Sequence, residues 1–180
     1  MSQESCIICQ IVGGKIPSKK IYEDEDCVAI LDVNGANPGH SFVIPKEHHP
    51  IMERVPDFLV GKLFSVANKV SSAIFESLAI HGTNIFVANG ISAGQKVAHF
   101  MIHVIPRIEK DRVNLQWTPK QLSEEEMSTV ELKLKDSSKD IGYFEKKEPK
   151  KAPQKTVQTE EVVEGEENYL LKQLHRRPGY

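Results

Sequence analysis

A chain of 180 residues, 39% hydrophobic and 27% charged, has room for one domain with a real core and some excess. Its formal charge of -2 excludes nucleic-acid binding by bulk electrostatics. The first residues carry no basic segment followed by an apolar run, and no stretch reads as long enough to cross a bilayer, so no membrane role and a cytoplasmic setting are expected.

In chain order, the first feature is Cys6-Ile7-Ile8-Cys9, one of two places that hold the three cysteines. In a reducing compartment this spacing reads as metal ligation or redox chemistry before it reads as a disulfide. Residues 27–31 (CVAIL) and 41–44 (SFVI) are short apolar runs bounded by Asp, Asn, Gly and Pro, which predicts two strands joined through VNGANPGH. Cys27 lies in the first of them as a small buried side chain. From 57 to 78 the residues Phe58, Leu59, Leu63, Val66, Val70, Ile74 and Leu78 recur at intervals of three and four, the pattern of a long helix with one buried face, and Pro56-Asp57 marks its start. His81, just beyond, suits a helix C-terminus.

Residues 84–89 (NIFVAN) predict a further strand, NGISAGQ a loop, and 97–106 a strand carrying AHFMIHVIPR. After Trp117, Ser123 and Glu126 fit a capping box, and Met127, Val130, Leu134 and Ile141 continue as a second amphipathic helix. The organisation expected is a domain over 1–142, a disordered charged linker over 143–167, and a short tail over 168–180 that reads either as a weakly helical free segment or as a short helix docking on this or another protein. No internal repeat is visible.

The stretch AHFMIHVIPR poses the chemical question. In a strand, His99, Met101 and His103 share one face while Phe100, Ile102 and Val104 take the other. Three readings are open: a metal site, a nucleotide-chemistry site lacking a part, or histidines packed in a core. The pair Cys6 and Cys9 supplies half of a tetrahedral zinc site, and His48, His49, His99 and His103 are the candidates for the other half.

Four stretches, CIICQIVGGKIPS, AILDVNGANPGHSFVIPKEHH, NIFVANG and GQKVAHFMIHVIPR, together resemble the histidine triad (HIT) superfamily of nucleotide hydrolases and transferases over roughly residues 4–110. The branch resembled is the small homodimeric one with zinc. The resemblance implies an α+β fold with a five-stranded antiparallel sheet, one long and one shorter helix, and sheets continued across a dimer. It implies zinc ligands at Cys6, Cys9, His48 and His99. It also implies a purine nucleotide such as AMP, with the base against Ile7, Ile8, Ile11, Ile30 and Val33, the ribose on Asp32, and the phosphates near Asn89, Gln95, the Val97 amide and His103. Where relatives often carry phenylalanine, this chain has Ile8 and Ile30, and Lys96 adds a cation where many have a small hydroxyl residue.

In that family the middle histidine attacks the α-phosphorus and the third assists the leaving group. The middle position here is Met101 and the third is His103. A thioether is neither basic nor able to form a stable N–P bond, so the covalent route is closed. The expected function is therefore purine mononucleotide binding with impaired or absent nucleotidyl hydrolysis. The alternatives are a phosphoramidate or dinucleoside polyphosphate hydrolase working by direct water attack, with His103 in a residual acid or base role, and a protein that binds metal or a partner.

Overall fold

The computed structural model describes residues 5–139 and 141–144. The expectations for 145–180, most of the charged linker and the whole tail, lie outside the described residues.

Five antiparallel strands form one sheet: β1 (Lys20–Glu23), β2 (Cys27–Leu31), β3 (Ser41–Pro45), β4 (Gly82–Phe86) and β5 (Ile102–Arg107), in the order β1-β2-β3-β5-β4. β2 pairs with β3 from Cys27 opposite Pro45 to Leu31 opposite Ser41, and β3 with β5 through Phe42 opposite His103. A short helix, α1 (Ile7–Val12), a long one, α2 (Asp57–Ser77), and a third, α3 (Glu124–Ser137), complete the elements used below.

Strand alternation sends side chains to two different cores. Toward α2 point Cys27, Ala29, Val43, Phe100, Ile102 and Val104, which pack with Leu59, Leu63, Val66, Val70 and Ile74 of the helix. In a second cluster lie Val28, Ile30 and Ile44, closed by Cys6 and Ile8, with Phe42, Val97 and Met101 packed against it. Of the helix face read from the sequence, Leu59, Leu63, Val66, Val70 and Ile74 are buried and Phe58 is partly buried, whereas Leu78 lies just past the end of α2 and is 38% exposed.

One helix is, by length and composition, long and apolar enough to cross a bilayer. α2 has 21 residues and an 18-residue window of mean hydropathy 1.3, enough to span. Its apolar face is taken up by the sheet, which is also how the core helix of a globular domain behaves.

Three boundaries differ from the sequence reading. β5 begins at Ile102, not at 97, because its ladder with β3 ends at Val43 opposite Ile102. Upstream, the Phe100 amide donates instead to the His49 carbonyl at 2.6 Å. β4 begins two residues earlier than expected and ends at Phe86, where the chain turns so that Asn89 can bond outside the sheet. β1 has no apolar alternation to betray it. All four of its residues are exposed, and it exists because β2 offers it an unpaired edge.

α3 forms as the capping box predicts: the Glu126 amide donates to Ser123 Oγ, and the Ser123 amide donates to Glu126 Oε2. Its expected burial does not occur, since none of its residues is buried. Gly39, with φ +90°, allows the turn before β3 to pass Leu78 and Pro106, which a Cβ there would strike at 2.7 and 3.2 Å.

Candidate functional site

Two polar clusters flank Met101. The first assembles Cys6 and Cys9 from the start of α1, His48 from the turn after β3, and His99 from the segment before β5. The donor atoms lie within 4.8 Å of one another. Cys9 Sγ is 3.2 Å from His48 Nδ1 and 3.5 Å from His99 Nδ1, Cys6 Sγ is 3.6 Å from His99 Nδ1, and the two Nδ1 atoms are 3.3 Å apart.

His99 Nε2 lies 3.0 Å from the Pro45 carbonyl, and a carbonyl only accepts, so the ring proton sits on Nε2 and the Nδ1 lone pair faces the cluster. Burial holds His99 down at about 4, so the ring is neutral. Burial pushes the Cys9 thiol up to about 11, with Cys6 adding to the rise. Four converging donors with a fixed tautomer fit a tetrahedral cation. Bonds of about 2.0–2.3 Å to nitrogen and sulfur would set neighbouring ligand atoms about 3.3–3.8 Å apart, close to the 3.2–3.6 Å of the four pairs given above. His49 stands outside this set. It is buried, its Nε2 has no hydrogen-bond partner among the described residues, and Glu47 Oε2 is 3.8 Å away.

The second cluster contains a residue that sequence reasoning did not single out. His40 is buried at the start of β3, and its Nδ1 accepts the Ala36 amide at 3.0 Å. Its proton therefore sits on Nε2, which donates to His103 Nδ1 at 3.2 Å. By the same logic His103 carries its own proton on Nε2. The Asp32 carboxylate lies 3.6 Å from His40 Nδ1. Phe86 stacks on the His103 ring at 4.6 Å and Phe42 meets it edge-on at 4.9 Å. Burial, helped by His40, brings His103 down to about 4. The result is a neutral imidazole held between two aromatic rings with its tautomer fixed as an Nε2–H donor. The signal available in the sequence was parity: His40 and Phe42 alternate with the core residues of β3 just as His103 does in β5.

Between the two clusters Met101 packs into the α1 core, beside the buried Ile8 and Ile30. A family model described as HIT domain matches residues 13–110. The chain belongs to the HIT family. Adenylylsulfatase HINT3 of Arabidopsis thaliana is 41% identical over 109 residues, 61% of this chain and 55% of the relative, so the match spans about half the length of that protein. Adenosine 5'-monophosphoramidase hnt1 of Schizosaccharomyces pombe is 33% identical over 127 residues, 70% of this chain and 92% of the relative. Among solved structures, a Zn-bound histidine triad family protein from Mycobacterium smegmatis superposes with a TM-score of 0.60 at 33% identity, covering 76% of this chain and 99% of that one.

The other residues singled out in this HIT protein fall in two groups. Ile8, Ile11, Ile30 and Val97 share one apolar cluster with Met101, whereas Ile7 and Val33 are exposed, at 49% and 86%. Asp32 stands at the end of β2, where its Oδ1 accepts the Asn34 amide. Asn89 accepts the Met52 amide and donates to Glu53, and Gln95 accepts the Gly90 amide and donates to the Pro50 and Val97 carbonyls. These two amides brace the loop from 90 to 97. Lys96 is exposed on that loop. His81 does not act at a helix end: its amide donates to the Arg107 carbonyl and its Nδ1 accepts the Glu109 amide.

Proposed function

We propose that this HIT protein binds a purine mononucleotide such as AMP and has lost most of the family's nucleotidyl hydrolysis. One observation carries the reading: a methionine occupies the position between a complete four-donor cluster and an intact His40–His103 pair. In this proposal the base lies against Ile8, Ile11 and Ile30, rimmed by Ile7 and Val33. The ribose is held by Asp32, and the phosphate by the braced loop of Asn89, Gln95 and Val97 with the Nε2–H of His103.

Cys6, Cys9, His48 and His99 would hold a zinc ion with no position left open, so the metal would supply cohesion to the site and no reacting ligand. Pairing of two copies at β4, whose edge residues Gly82–Phe86 carry no charge, would give a homodimer, whereas β1 is guarded by Lys20 and Glu23. The setting we infer is the cytoplasm, where the two thiols stay reduced for the metal.

The test pairs calorimetric titration of the metal-loaded protein with AMP and turnover of adenosine phosphoramidate and diadenosine polyphosphates, each repeated on Met101→His. Expected is comparable AMP binding in both proteins with turnover rising by a factor of 10³ or more in Met101→His, on the order of what a covalent nucleophile contributes. Equal turnover would instead make the parent protein a hydrolase using water, with His103 as acid. Absence of AMP binding in both would sink the nucleotide reading.

A further inference from the structure

The groups assigned above to the phosphate leave it short of positive charge. His103 is held neutral by burial and offers only its Nε2–H, and His40 beside it is lowered by burial in the same way. Asn89 and Gln95 are uncharged, and their donors are engaged within the protein. Asn89 Nδ2 donates to Glu53 at 2.7 Å, and Gln95 Nε2 donates to the Pro50 and Val97 carbonyls at 2.7 and 2.9 Å. Glu53 itself brings a carboxylate to this loop, and the hydrogen bond from Asn89 holds it below the ordinary carboxylate range. A nucleotide phosphate with about two negative charges at neutral pH therefore needs a cation from elsewhere.

Lys96 stands where that cation is missing. It directly follows Gln95, is exposed, and pairs with no carboxylate among the described residues. The backbone on either side of it is fixed. The Gln95 amide donates to the Gly90 carbonyl at 3.1 Å and the Gly90 amide to Gln95 Oε1 at 2.8 Å, while Val97 packs against the cluster that holds Ile8 and Ile30. The result is an uncommitted cation on a fixed mount.

The same turn of chain supplies a second kind of donor. The amides of Lys96, Val97 and Ala98 donate to no acceptor among the described residues. Consecutive unpaired N–H groups beside a lysine suit an anion. The two kinds of donor differ in reach. The amides act close to the backbone, on the phosphate next to the ribose, whereas Nζ sits at the end of a flexible four-carbon stem and serves a phosphate further out.

We propose that Lys96 binds the β-phosphate, so that the ligand this site prefers is a purine nucleoside diphosphate over the monophosphate. The inference rests on the nucleotide reading above and narrows it. A diphosphate brings about one more negative charge than the monophosphate and presents its terminal oxygens to Nζ. Because Met101 offers no nucleophile, the diphosphate is held intact.

The test is calorimetric titration of the full-length, metal-loaded protein with AMP and with ADP, repeated on Lys96→Gln and Lys96→Arg. ADP should bind about tenfold more tightly than AMP, as one charge-assisted hydrogen bond in an open site provides, and the ratio should fall to about one in Lys96→Gln and persist in Lys96→Arg. Lys69→Gln, which removes a lysine on α2 across the sheet from α1, controls for net charge and should leave the ratio unchanged. In phosphorus NMR, the β-phosphorus line of ADP should shift on binding to the parent protein and shift less with Lys96→Gln. Equal affinities for AMP and ADP in the parent protein overturn the assignment while the nucleotide reading stands. A preference for ADP that survives in Lys96→Gln also overturns it, since another group then reads the second phosphate. Binding of neither nucleotide removes both readings together.

Discussion

At Met101 the effect of one side chain can be separated from that of its surroundings. The thioether packs against the apolar cluster that holds Ile8 and Ile30, as a flexible unbranched side chain can. His103 lacks the same freedom: clamped by Phe42, Phe86 and His40, it is held neutral with a fixed tautomer. In an NMR titration its ring resonances should therefore move with a midpoint near 4 instead of near the ordinary 6.5. A midpoint above 6 would remove the buried-donor account. Asp32→Asn keeps an acceptor for the Asn34 amide but removes the charge. It should weaken AMP binding about tenfold, by about 1.4 kcal/mol, with little change in melting temperature.

Elements owe their places to faces more than to propensity. α2 is held by the stripe Leu59, Leu63, Val66, Val70 and Ile74, and Leu63 at its centre is fully buried. Leu63→Ala should cost about 2–5 kcal/mol, read from urea unfolding, because sheet and helix cannot both collapse into the space left. α3 shows the converse. Its capping box is complete and its periodicity is clear, yet the element is fixed locally and nothing in its own sequence says where its apolar stripe goes. β1 was invisible for a related reason. A four-residue exposed edge strand with Lys and Glu at its ends has no alternation to read, and its order comes from the neighbour it pairs with.

For the whole molecule, the four-donor cluster joins regions that are remote in sequence, since Cys6 and Cys9 lie 93 and 90 positions from His99. It would tie α1, and with it Ile8 and Ile11, to the sheet. Stripping the metal with a chelator should lower the melting temperature and weaken AMP binding together, because both depend on α1. Cys9→Ser should show a reduced melting temperature that the chelator no longer changes. The pH response follows from the buried imidazoles. His103 titrates near 4 when folded and near 6.5 when unfolded, so between those values the unfolded chain binds more protons. Stability is then full above about 6.5 and falls as pH drops toward 4, by about 1–3 kcal/mol for this group. His40, also lowered by burial, acts in the same direction. Unfolding free energies at pH 7 and pH 4.5 should differ accordingly, and the difference should shrink in His103→Phe.

What the sequence alone determined was whatever depends on local spacing. This includes the α2 stripe, the two apolar strands around VNGANPGH, the α3 capping box, the Cys6–Cys9 spacing with His48, His49, His99 and His103 as candidate partners, and the methionine between His99 and His103. Alternation also placed His99, Met101 and His103 on one face, and this survived even though the first two stand outside the strand ladder. Only tertiary structure decided which histidines meet. His48 enters the cluster while its neighbour His49 is turned into the core, and His40 reaches His103 across the β3–β5 pairing. Those outcomes depend on register between strands, and register is set by the packing of whole faces and by backbone pairing across many residues, which no local window of sequence contains.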